Sequence, residues 1–190
     1  METKDLGLTY FKRFRMELNF DQSRLQVSSI PPGFEMIPFS SDLIGEHASA
    51  KHESFKNEMD VNLFPCLGRR DGCLRLMREI TSRANFVPEA TWLCRYREPV
   101  SNLPLAIGTI QGLEIDGWGS IQNIGISPTH RGHGLGSLLI EHAARGFKSV
   151  GLRRMHLEVT TDNTAAIRLY EHIGFKRAEV IYKATEVAGA

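Results

Sequence analysis

The segment that decides the fold is Arg131-Gly132-His133-Gly134-Leu135-Gly136-Ser137. The apolar run Ile124–Ile126 precedes it and closes on Ser127-Pro128, a pattern typical of a strand that ends in a turn. After it, apolar residues recur at helical spacing: Leu135, Leu138, Leu139, Ala143, Phe147 and Val150. The sequence therefore predicts a strand, a glycine-rich turn, and a helix that begins within the glycines.

A helix that begins in such a turn offers an anion-binding site at its N-terminus. Its first N–H groups have no partner in the helix, its dipole favours negative charge, and glycine lets a ligand approach the main chain closely. We expect the amides from Gly132 to Ser137 to bind a phosphorylated cofactor. The spacing G-x-G-x-G departs from the G-x-G-x-x-G of dinucleotide folds, and the Walker Gly-Lys-Ser/Thr is absent from the sequence. A dinucleotide-binding oxidoreductase is the weaker alternative.

Composition narrows the class of protein further. The chain has 190 residues, of which 42% are hydrophobic and 24% charged, so we expect one globular domain over residues 1–190. A formal net charge of +1 predicts no nucleic-acid or membrane-surface partner. The three cysteines form no CxxC pattern, which argues against a disulfide framework or a cysteine zinc site and favours a reducing, cytoplasmic location. No metal site is expected.

The N-terminal third begins with an alternating pattern. Phe14, Met16, Leu18 and Phe20 alternate with polar residues that include Arg13 and Arg15, which predicts a half-buried strand with a solvated polar face. We treat residues 1–33 as an N-terminal strand and linker extension and residues 34–185 as the core. A short strand, Phe34–Phe39, is then expected.

Two helices and a loop are predicted next. The first helix begins at Ser41 or Asp42 and runs to about Lys56, with His47 and Lys51 on its exposed side. Residues 57–72 are expected to form a long loop, and residues 73–83 an amphipathic helix.

The remainder of the chain alternates between strands and helices. Asp116-Gly117 predicts a tight hairpin turn, and Asp162 or Asn163 is expected to cap a helix that ends at Gly174. The predicted strands are 91–97, 105–115, 120–126, 155–159 and 175–185. This order indicates a mixed α/β domain.

Two motifs, in this order, resemble those of the GNAT acetyltransferase superfamily. Arg131–Gly136 fits the pattern R/Q-x-x-G-x-G/A, and the second block fits L-E-V…N…A…L-Y-E-x-x-G-F with Leu157–Val159, Asn163, Ala166 and Leu169–Phe175. The second block is most similar to the branch that acetylates protein N-termini, such as the ribosomal-protein-alanine acetyltransferases. The resemblance covers about residues 91–185. It implies the GNAT fold, a mixed central sheet splayed between the fourth and fifth core strands, here with an extra N-terminal strand.

The resemblance implies acetyl transfer from acetyl-CoA to a primary amine, by direct attack in a ternary complex. The backbone of Ile124, Gly125 and Ile126 would pair with the pantetheine arm. Asn163 would flank that arm, and Arg131 would either neutralise phosphate charge or form a salt bridge at the helix start. The amides that would hold the pyrophosphate belong to Gly132, His133, Gly134, Leu135, Gly136 and Ser137.

Two residues are implied as catalytic. Tyr170 is the expected general acid for the departing thiolate, and Glu158 the expected general base, because it lies twelve residues before Tyr170 as in the terminal-amine branch. Other family members carry the base on the fourth strand, where this chain has no carboxylate, so Glu114 or Asp116, acting through water, stay as alternatives. Asn163 and Tyr170 are seven positions apart, about 20° around a helix, and so share one face.

Three questions stay open at this level. The acceptor is an amine on a small molecule, a protein N-terminus or a lysine. A catalytically silent GNAT-fold module that binds acyl-CoA is the alternative function. Many relatives end in a two-strand hairpin, but this chain has room for one strand after Phe175, so we expect Tyr10–Phe20 or a homodimer partner to fill the missing edge.

Overall fold

Nine strands and five helices make up the part of the chain that the computed structural model describes, residues 7–23, 25, 28–99 and 103–187. In chain order they are β1 (Gly7–Asn19), β2 (Phe34–Pro38), α1 (Ile44–Phe55), α2 (Asp60–Leu63), α3 (Arg70–Thr81), β3 (Trp92–Arg97), β4 (Pro104–Ile110), β5 (Gly112–Ile115), β6 (Trp118–Ile121), β7 (Gly125–Ile126), α4 (Leu135–Ser149), β8 (Arg154–Thr160), α5 (Thr164–Ile173) and β9 (Lys176–Val187).

The strands form two hydrogen-bonded sheets joined by continuous chain. One sheet has the order β2-β3-β4-β7 and the other β5-β6-β8-β1-β9. The strand predicted at 120–126 is interrupted: β6 pairs in parallel with β8 at Gly119↔Met155 and Ser120↔His156, whereas β7 pairs with β4. Beyond Ser120 the backbone no longer pairs with β8, which confirms the predicted splay in a mixed sheet.

The predicted N-terminal strand is present, and it lies inside the sheet. β1 is antiparallel both to β8, with Arg13 opposite Thr160, and to β9, with Arg13 opposite Ile181. β9, rather than β1, is therefore the edge strand on this side. Met16 and Leu18 are 0% and 2% exposed, so the alternating apolar face of β1 belongs to the main core.

Helix α4 anchors that core. The Phe147 ring lies against the main chain at Gly112 and Gly119, where a Cβ would come within 2.8 Å and 2.6 Å of ring atoms. Glycine at both positions lets the ring reach the sheet, and full burial of a phenylalanine side chain contributes about 1.5–3 kcal/mol.

The region of α1 to α3 departs from the sequence expectations. His47 and Lys51 were expected to be exposed, and both are 0% exposed. The reason is tertiary: α1 packs on β4 and β7 on one side and on α3 on the other, where a small second core surrounds Leu67 and Met77. The expected loop at 57–72 contains α2, a 3₁₀ turn at Pro65–Gly68 and the start of α3.

Among the described residues no helix is both long enough and apolar enough to span a bilayer. All three cysteines are free thiols, and burial raises the pKa of Cys73 to about 11 and that of Cys94 to about 12.

Candidate active site

The glycine turn forms a cradle of main-chain N–H groups at the start of α4. Gly132 and Gly134 have φ of +84° and +74°, a backbone conformation that residues other than glycine rarely adopt. A Cβ at either position would meet no atom within 4 Å. In the described part of the chain, the N–H groups from Gly132 to Ser137 donate to no protein acceptor. Six amides without a protein acceptor at a helix N-terminus are a fit for a pyrophosphate.

A cavity of about 470 Å³ extends from this cradle into the split between the sheets. One wall is the interrupted strand, including Asn123, Ile124, Gly125 and Ile126, and the opposite wall includes Val159 of β8. The N–H groups of Asn123 and Ile124 have no protein acceptor among residues 103–187 or elsewhere in the described ranges. The cavity therefore has an unpaired strand edge that an extended amide-containing ligand can pair with.

The interrupted strand packs closely on α1 at Gly125. A Cβ on Gly125 would lie 2.6 Å from Cβ of Ser54 and 2.9 Å from the Phe55 ring. Only glycine at position 125 lets the helix approach this strand so closely.

The expected catalytic residue on α5 lies in the cavity wall. Tyr170 is 7% exposed, its ring packs on Phe175 at 5.8 Å, and its hydroxyl bonds to no other described residue. Burial raises the pKa of the phenol, so it carries its proton at neutral pH. Asn163 also lines the cavity, and its side chain caps α5 by accepting from the Ala166 N–H at 3.2 Å.

Glu158 lies on the same wall and is held by two cations. Its Oε2 is 2.6 Å from Nζ of Lys183 and 3.6 Å from Nε of Arg13. Arg13 is 6% exposed and also donates to the Glu158 carbonyl oxygen and to Oγ1 of Thr160, each at 2.9 Å. The alternative bases Glu114 and Asp116 lie on the exposed β5–β6 hairpin, outside the cavity.

Arg13 was expected on a solvated strand face, and this expectation was wrong. Arg13 lines the cavity because β1 is inserted beside β8, which brings the polar face of the strand to the end of the split. A strand's own alternation cannot reveal which element will cover its polar face.

The residues around the glycine turn have different surroundings. Arg131 lines the cavity and forms an ion pair with Glu58 at 2.7 Å, and it also donates to the carbonyl oxygens of Ile126 and Ser54. This is the salt-bridge alternative left open by the sequence. The His133 ring lies outside the cavity and packs on Phe34 at 5.3 Å.

A buried polar group lies behind the interrupted strand, and the sequence analysis missed it. Nζ of Lys51 donates to Oδ1 of Asn123 at 3.0 Å, and burial lowers the lysine pKa to about 7. His47, one turn earlier on α1, pairs with Oγ1 of Thr109 at 2.7 Å, and burial lowers its pKa to about 3, so the ring is neutral.

Solved structures of acetyltransferases have a similar fold. A GCN5-related N-acetyltransferase from Sphaerobacter thermophilus superposes with a TM-score of 0.70 at 21% identity, covering 96% of this chain and 54% of that one. The aminoglycoside N-acetyltransferase AAC(6')-Iy, in complex with CoA, superposes with a TM-score of 0.58 at 15% identity, covering 80% of this chain and 94% of that one. These matches show the fold.

The family model for the acetyltransferase (GNAT) family matches residues 65–175, more than half of the chain. The chain therefore belongs to the GNAT family, as the two motifs indicated.

Curated relatives match over about a third of the chain. An uncharacterised N-acetyltransferase of Bacillus subtilis, YobR, is 41% identical over 70 residues, which is 37% of this chain and 28% of that protein. The ribosomal protein bS18-alanine N-acetyltransferase of Escherichia coli is 40% identical over 58 residues, which is 30% of this chain and 39% of that protein. A mycothiol acetyltransferase of Actinosynnema mirum is 41% identical over 66 residues, which is 34% of this chain and 22% of that protein. The matched segment thus spans well under half of each relative.

Proposed function

We propose that this protein is an acetyl-CoA-dependent N-acetyltransferase that moves an acetyl group to a primary amine by direct attack in a ternary complex. The observation that carries the proposal is the continuity of one cavity. It joins the N–H cradle at Gly132–Ser137, the unpaired strand edge at Asn123–Ile126 and the side chains of Tyr170 and Glu158.

The cavity residues fit the parts of the cosubstrate in order. The cradle amides hold the pyrophosphate, and the main chain of Ile124, Gly125 and Ile126 pairs with the amides of the pantetheine arm. Asn163 flanks the arm from the opposite wall. Arg131 supplies positive charge beside the cradle, although Glu58 already shares it.

In the chemical step, the amide C–N bond forms and the thioester C–S bond breaks. Glu158 takes the proton of the attacking amine, directly or through a water, and the Tyr170 hydroxyl gives its proton to the departing sulfur. The Tyr170 phenol carries its proton at neutral pH, and main-chain N–H groups at the split can donate to the carbonyl oxygen as charge develops there. No covalent bond to the protein is needed.

The acceptor enters at the end of the cavity where Asp60 and Glu158 lie beside Arg13. Relatives are named for a ribosomal protein acceptor and for mycothiol, a small molecule. We propose an amine-bearing acceptor of one of these two kinds. The homodimer and the cytoplasmic location stay predictions from the sequence.

The test is turnover of acetyl-CoA with a panel of peptide N-termini, lysine peptides and small amines, read as release of free thiol. With an accepted amine, Tyr170→Phe should lower kcat about 10²-fold and leave acetyl-CoA affinity nearly unchanged. If kcat is unchanged, another group protonates the thiolate.

The second candidate is a silent module that binds acyl-CoA. The observation that favours it is the 2.6 Å contact of Lys183 with Glu158, which engages the proposed base. Binding of CoA by calorimetry, with no thiol release for any amine in the panel, would select this alternative.

A further inference from the structure

The buried Lys51 is the least expected polar residue of the protein. It is 0% exposed, and within the described ranges no carboxylate lies within ion-pairing distance of its Nζ. The titratable groups that act on it are Cys73 of α3 and Cys66 of the preceding 3₁₀ turn, and Lys51 itself acts on His47. Burial of an unpaired lysine is costly, so a site that retains one invites a functional explanation.

The only hydrogen bond of Nζ in the described structure is to Oδ1 of Asn123, at 3.0 Å. Asn123 lies at the interruption between β6 and β7 and lines the cavity. Lysine offers N–H donors to this contact, so the carbonyl end of the carboxamide faces Lys51.

The other end of the carboxamide is therefore free. The amide nitrogen of Asn123 donates to no described protein group, and it is not among the fully buried polar atoms that lack a partner. Asn123 is partly exposed and lines the cavity, and the main-chain N–H groups of Asn123 and Ile124 beside it also lack protein acceptors in the described chain.

We propose that Lys51 is a positioning residue that turns the Asn123 carboxamide so that its N–H groups donate to the thioester carbonyl oxygen, on which negative charge develops during attack. This inference rests on the proposed function. Asn123 is then a catalytic residue of this chain, and Lys51 acts through it.

The packing of α1 explains how the lysine reaches Asn123 from this position. Gly125 lets α1 approach the interrupted strand, and Lys51 lies one turn before the contact that Ser54 and Phe55 make with that glycine. No backbone group is needed to fix the carboxamide, so the strand amides stay available for the ligand.

The test compares Lys51→Met, Asn123→Leu and the double variant, with Lys56→Met as the matched control. Lys56 directly follows the last turn of the same helix but is paired with Glu53 on the surface at 2.6 Å. Removal of one such donor typically costs about 10²–10³-fold in kcat, so we expect Asn123→Leu to lose about 10²-fold and Lys51→Met about 10-fold. The double variant should lose no more than Asn123→Leu, because the two residues act as a unit.

A second measurement does not depend on turnover. The carbonyl stretching band of bound acetyl-CoA, labelled with carbon-13 at the carbonyl, should move towards its position in water in Lys51→Met and Asn123→Leu, and stay unchanged in Lys56→Met. A structural role alone would leave this band in place. Asn123→Asp is the variant that keeps the fold if the others weaken it, because its carboxylate can pair with Lys51, and it should still lose activity.

The outcomes separate the two claims. A wild-type protein without CoA binding or turnover overturns the proposed function. An active wild type whose kcat and carbonyl band are unaffected by Lys51→Met, or whose losses simply add in the double variant, overturns the role of Lys51 and leaves the proposed function standing.

Discussion

Replacement of Lys51 by methionine should change how stability depends on pH. Burial lowers the lysine pKa from 10.5 to about 7, so between these two values the unfolded chain binds a proton that the folded chain lacks. The free energy of unfolding of the wild type therefore rises with pH through this window, by about 1.4 kcal/mol for each pH unit, and is flat with respect to this group below pH 7.

The methionine variant has no such titration. At pH 7 it should be the more stable protein, because the cost of burying the cation exceeds the roughly 1 kcal/mol of one hydrogen bond to Asn123. Its advantage should then shrink by about 3 kcal/mol between pH 7 and 9.5. The titrations of Cys73 and Cys94 occur in both proteins, so the difference isolates the lysine.

Urea unfolding at half-unit pH steps measures this difference directly. Lys56→Met serves as the control and should run parallel to the wild type, because this lysine is on the surface. Parallel curves for the wild type and Lys51→Met would refute the reasoning, since the lysine would then titrate alike in the folded and unfolded chains.

Three further predictions concern the cradle, β1 and α4. Gly134→Val places a β-branched side chain at φ +74° within the cradle; it should cost about 1–2 kcal/mol of stability and weaken CoA binding strongly by calorimetry, and unaltered affinity would count against the site. Arg13→Met removes donors to Glu158 and Thr160 and should lower both kcat and the free energy of unfolding, the latter by about 3 kcal/mol, whereas Arg15→Met, whose only ion pair is with Glu17 in the described chain, should change little. Gly146→Ala gains about 1 kcal/mol of helix propensity, but its Cβ would overlap the Glu89 carbonyl, so thermal unfolding should show a net loss of about 2 kcal/mol in the free energy of unfolding. The control is Gly45→Ala in α1, where a Cβ meets nothing within 4 Å, and it should be neutral or stabilising.

The glycine turn at the start of α4 was predictable because its causes are local. Gly132 and Gly134 have positive φ, α4 begins at Leu135, and the residues that bracket the turn are neighbours in sequence. The cap at Asn163 and the αL glycine at Gly174 were predictable for the same reason, since each satisfies groups of its own helix.

Long-range packing decided the rest. The strand predicted at 120–126 is interrupted at residues 122–124, and α1 packs closely on Gly125 just after the interruption; nothing in the strand's own pattern shows that helix. Arg13 lines the cavity because β1 lies in the sheet between β8 and β9.

By itself, the sequence determined the glycine turn, most of the helices and strands, and the side chains of two motifs that line one cavity, because short-range sterics and hydrogen bonding act within a few residues. The tertiary structure decided which polar side chains lose their water. The positions of Lys51 and His47 in the pattern of α1 are those expected of a solvent-exposed helix face. Both side chains are buried because α1 packs between the sheet and α3. Desolvation depends on what covers a residue from elsewhere in the chain, so no local pattern can specify it.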